Sequence, residues 1–85
     1  MDYIEQIEQI RSLLKSKGYV ALAADITEWQ LSGGTGGEVL MIVCSGLLGV
    51  KNSNPAAYAA IRAEAEQLIT YANSIGLYPK AMPGL

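Results

Sequence analysis

The chain has 85 residues, room for one domain and little more. Half of it is apolar (51%), enough for a packed core, and its formal charge of −2 disfavours the phosphate backbone of a nucleic acid as a partner. There is no histidine and only one cysteine, Cys44, which excludes a His-dependent nucleophile, the common zinc sites and an internal disulfide.

Residues 2–17 read as a first helix, because Tyr3, Ile7, Ile10 and Leu14 recur on one helical face. Asp2 and Glu5 in the first turn and Lys15 and Lys17 in the last suit the helix dipole. Gly18 follows where a left-handed residue ends a helix. This start is acidic and amphipathic, unlike the basic-then-apolar pattern of a secretory leader, so a cytoplasmic setting is expected.

A second helix is expected at residues 19–31. Tyr19, Leu22, Ile26 and Trp29 form its inward stripe, with Asp25, Glu28 and Gln30 outside it. The short link through Gly18 makes the first two helices an antiparallel hairpin. The glycines of the stretch 32–37 then break the helix.

Thr35 and Glu38 have the spacing of a capping box. The threonine hydroxyl accepts the N–H of Glu38, and the glutamate reaches back to the N–H of Thr35. That cap favours a buried central helix at residues 37–48 over a strand, although the run Val39–Val43 is compatible with either by periodicity. Gly46 and Gly49 weaken its last turn and let a neighbouring backbone come close. The apolar run 39–50 falls short of the ~20 residues that cross a bilayer, so no membrane partner is expected.

Asn54 as N-cap and Pro55 at the first position open a fourth helix, residues 55–75. Its inward face is Tyr58, Ile61, Ala65, Leu68, Ala72 and Ile75, and Gly76 ends it. Residues 77–85 form a tail in which Leu77 and Tyr78 are candidates for an apolar clasp. The expected fold is therefore all-α: one compact four-helix domain over residues 1–85, with a hairpin, a Gly-rich loop, a buried central helix, a closing helix and a short tail.

Chemistry is sparse. The Gly33–Gly37 loop resembles a phosphate cradle only in its glycines, since a Walker loop continues with Lys and here the chain reads Gly37-Glu38-Val39. Glu38 already sits at the positive end of the helix, where it opposes a second anion. Cys44 lies within an apolar helix and reads as buried and inert. Asp2, Glu5 and Glu8 read as a solvated face. Asp25, Glu28 and Glu38 gather near the glycine loop as an acidic patch suited to a basic partner, and Trp29 beside them is either an anchor for that partner or the edge of the core. No ordered series of metal ligands, no cofactor and no enzymatic activity are expected.

The segment Ser32-Gly-Gly-Thr-Gly-Gly-Glu-Val-Leu-Met41, set between a helical hairpin and a closing helix, resembles that of small all-helical bacterial immunity proteins. These are encoded beside secreted toxins, including those of contact-dependent growth inhibition. The resemblance covers residues 19–50 in pattern and the whole chain in size and helix order. It implies a non-enzymatic protein that binds one cognate toxin domain, commonly a nuclease with a basic surface, and blocks its active site or substrate groove. The resemblance passes on no binding residues, so Asp25, Glu28, Trp29 and Glu38 are chosen on charge and position, and a monomer or weak homodimer is expected. The competing expectation is a self-associating or adaptor module without a toxin partner, joined through the third helix or the tyrosines.

Overall fold

Asp2 starts the first helix. Its carboxylate accepts the backbone N–H groups of Ile4 (3.1 Å) and Glu5 (3.2 Å), fixing the first turn of α1 (Tyr3–Ser16). The computed structural model describes residues 2–83. They hold three further helices, α2 (Val20–Ser32), α3 (Gly36–Ser53) and α4 (Pro55–Ser74), and no strand. Residue 1 and the last two residues of the expected tail lie outside the described residues.

α1 ends in a Schellman motif. The Tyr19 N–H donates to the Leu14 carbonyl (2.8 Å), the Gly18 N–H donates to Lys15 (3.0 Å), and Gly18 takes a φ of 89°. α4 ends the same way, with Leu77 donating to Ala72 (2.9 Å), Gly76 donating to Asn73 (3.1 Å), and Gly76 at φ 87°. Both glycine stops fall where the sequence puts them.

The third helix differs from expectation. It extends to Ser53, past Gly46 and Gly49, which do not weaken its end. Both glycines are buried, so packing overrides their poor helix propensity. Asn54 alone joins α3 to α4: its N–H donates to the Val50 carbonyl (2.8 Å), and its side chain accepts the N–H of Ala57 (3.2 Å). One residue ends a helix and caps the next.

Each helix packs against the next in sequence, and α4 closes the ring against α1. Tyr3 stacks on Tyr71 with ring centroids 6.4 Å apart, while the Gln6 amide donates to the Glu64 carbonyl and the Gln67 side chain. Those pairings run in opposite directions along α1 and α4, as an up-down-up-down bundle requires. Ile7, Ile10, Leu14, Ile26, Leu40, Val43, Leu47, Ile61 and Leu68 fill the centre. Fully burying such a side chain is worth about 1.5–3 kcal/mol each.

Two further expectations are corrected by this packing. Ile75 is not on the inward face of α4: it is the C-cap and is half exposed, because the left-handed turn at Gly76 carries the chain away there. Tyr78 is exposed, so Leu77 and Met82 are the tail residues packed on the core. The Met82 N–H donates to the Ser45 carbonyl of α3 (2.9 Å), which ties the tail down. In the apolar third helix Leu40, Val43, Cys44, Leu47 and Val50 are in the core, while Met41, Ile42 and Leu48 are partly exposed.

Candidate functional site

The four residues singled out by charge and position differ in exposure: Asp25, Glu28 and Glu38 are exposed and Trp29 is buried. Asp25 and Glu28 are both exposed on α2, three residues apart and so on adjacent turns of one face. Among the described residues the single ion pair is Arg11–Glu8, so neither Asp25 nor Glu28 is neutralised by a cation of its own chain.

Glu38 is exposed in the first turn of α3, and its carboxylate is already engaged. The Thr35 hydroxyl donates to Glu38 Oε1 (3.3 Å) and accepts the Glu38 N–H (3.2 Å). The capping box is thus half as expected. The glutamate turns to the hydroxyl instead of the Thr35 N–H, and its carboxylate leans over Gly34. It supplies the negative charge at the positive end of α3.

Trp29 is not on the exposed surface with these carboxylates. Its indole is 9% exposed and fills the space beside Gly46 of α3. The stripe Tyr19, Leu22, Ile26 and Trp29 made it a core candidate, and that placement wins. Burial of a large ring against a glycine-sized gap outweighs leaving it in water.

The glycine loop is similarly divided. A side chain at Gly33 would collide with the backbone of Val39, 2.7 Å from its nitrogen, and one at Gly36 would meet the Tyr3 hydroxyl. Gly34 and Gly37 face no such restriction. The turn needs glycine where it folds back on α3 and under α1, which accounts for two of its four glycines.

Two features escaped the sequence reading. Arg11, largely covered, donates to Thr27 Oγ1 (2.9 Å) and Gln30 Oε1 (3.2 Å) and pairs with Glu8, bolting α1 to α2. Val20 and Leu31 are 62% and 80% exposed on the outside of α2. With Ala24 and Thr27 they follow one another at intervals of four, three and four, a second stripe that was legible in the sequence beside the first. A shallow groove of about 480 Å³ runs along it, bordered by Lys15 and Glu28.

Cys44 is buried, and burial pushes its thiol up to about 12, so it stays protonated and unreactive. No group of three His, Cys, Asp or Glu side chains among the described residues is arranged to hold a metal ion. No helix among them is long and apolar enough to cross a membrane. No family model matches the chain, and no curated protein or solved structure is significantly similar to it.

Proposed function

We propose that this protein is a non-enzymatic immunity protein, which binds a cognate bacterial toxin domain in the cytoplasm and occludes its active site or substrate groove. The observation that carries the reading is the pair Asp25 and Glu28, exposed on adjacent turns of α2 and unpaired with any cation among the described residues. Two free carboxylates on a rigid helix are suited to a basic surface such as that of a nuclease. The resemblance of the segment 32–41 to immunity proteins, and the net charge of −2, support the same reading. Glu38 contributes through the field at the start of α3, since its carboxylate is held by the cap. Trp29 supports α2 from within.

The test is a co-purification of the tagged protein with the product of the reading frame next to its gene, followed by titration calorimetry. A tight 1:1 complex that abolishes the partner's toxicity is expected. Glu28→Lys should weaken that complex by about tenfold or more while leaving helical circular dichroism unchanged. Absence of a complex, or an affinity indifferent to both Glu28→Lys and Asp25→Lys, would overturn the reading.

A further inference from the structure

We infer that the cleft between α3 and α4 lined by Leu48, Lys51, Tyr58, Glu66, Ile69 and Thr70 binds a small zwitterion with an aliphatic side chain, the chemistry of a free α-amino acid. The central residue is Tyr58. It is 1% exposed, and a tyrosine buried to that degree ordinarily gives its hydroxyl a partner in the protein. This hydroxyl has no hydrogen-bond partner among the described residues. No fully enclosed side-chain oxygen or nitrogen among them is left unpaired, so the sliver of Tyr58 that meets solvent includes the hydroxyl. The cleft is what Tyr58 lines, and its unpartnered oxygen therefore opens there.

The other walls define the ligand. The cleft encloses about 330 Å³, within the size range of small-molecule sites. Leu48 and Ile69 are half-buried and give it two aliphatic sides. Its charges are one of each sign, Lys51 from α3 and Glu66 from α4, and neither has an ion-pair partner among the described residues. Lys51 Nζ lies 5.8 Å from the centroid of the Tyr58 ring, and the Arg62 guanidinium carbon lies 5.3 Å from it, outside the cleft lining. A ligand bearing only a carboxylate would meet these cations but also the field of Glu66. One bearing only an ammonium would meet Glu66 but also Lys51. A zwitterion satisfies both: its carboxylate accepts from Lys51, its ammonium donates to Glu66, and its side chain covers Leu48 and Ile69. The Tyr58 hydroxyl both donates and accepts, so it serves either end, and Thr70 offers a second hydroxyl one turn beyond Glu66. The site uses none of the carboxylates on α2.

The experiment is amide NMR of the isotope-labelled full chain, titrated to about 20 mM with L-leucine, with isocaproate, which lacks the ammonium, and with isoamylamine, which lacks the carboxylate. L-leucine is expected to bind with a Kd on the order of 1 mM, moving the amides around Leu48, Lys51, Glu66 and Ile69, and each analogue about tenfold more weakly. Lys51→Met and Glu66→Gln should each weaken leucine about tenfold, the first removing its advantage over isoamylamine and the second its advantage over isocaproate. Tyr58→Phe should weaken it about threefold or more without lowering the thermal midpoint, because the hydroxyl has no protein partner to lose. Absence of shifts overturns the inference, as do shifts confined to the larger groove between Met41 and Met82, leucine bound no better than its analogues, or an affinity indifferent to Tyr58→Phe.

Discussion

The indole of Trp29 occupies the space in which a side chain at position 46 would begin. A Cβ placed on Gly46 falls 2.6 Å from both Cε3 and Cη2 of the ring, well inside van der Waals contact. The distance between α2 and α3 is set by that pair.

Gly46→Ala should therefore destabilise the protein by about 1–3 kcal/mol, the usual range for overpacking a core, in spite of alanine's better helix propensity. Gly37→Ala is the control: it lies in the first turn of the same helix, and an added methyl meets nothing. It should be neutral or stabilise by up to about 1 kcal/mol. Urea unfolding followed by tryptophan fluorescence measures both, and equal effects would show that helix propensity governs at position 46 as well.

Gly18 and Gly76 act through backbone conformation alone. Neither has an atom near the position of a Cβ, yet both sit at positive φ. Alanine at either should cost about 1–2 kcal/mol from left-handed strain, and asparagine less than alanine. Thermal melts of the four single variants would show the ordering, and an alanine no worse than asparagine would count against the strain argument.

Arg11 joins α1 to α2 by bonds to Thr27 and Gln30. Arg11→Ala should lower stability by about 1–2 kcal/mol, since two partly buried acceptors lose a charged donor. Arg11→Lys should recover only part of this, because a single ammonium lacks the forked reach of guanidinium. A double cycle with Thr27→Val gives the coupling between the two side chains, expected to be well above zero.

Cys44 supplies a pH dependence. Its folded-state value, pushed up to about 12 by burial, lies above the 9.0 of an exposed thiol, so the unfolded chain loses its proton first. Between these values the native state holds more protons than the unfolded one, so stability is complete below pH 9 and falls as pH rises towards 12. Burial also raises the Tyr58 hydroxyl, with Glu66 adding to the shift, and this steepens the loss. Denaturant midpoints from pH 7 to 11 should decline above pH 9 in the parent and less steeply in Cys44→Ala. At pH 8 the thiol should react with a disulfide reagent only on unfolding.

The sequence by itself determined the local events. Thr35 and Asn54 cap the helices they precede, and Gly18 and Gly76 stop the helices they follow, because these effects depend on a few adjacent residues and the backbone they share. Stripes such as Ile7, Ile10, Leu14 and Ile61, Ala65, Leu68 were equally readable, since helical periodicity alone turns them to one side. Tertiary structure decided everything that depends on a distant partner. Propensity argues for ending α3 near Gly46, and the Trp29 ring from another helix reverses that by filling the space a larger side chain would need. The same contact takes Trp29 out of the exposed set and leaves Asp25 and Glu28 behind. Two apolar stripes run along α2, and the sequence does not rank them: the inner one is buried because Arg11 and Gly46 hold α2 between α1 and α3 in one orientation, which leaves Val20 and Leu31 facing water.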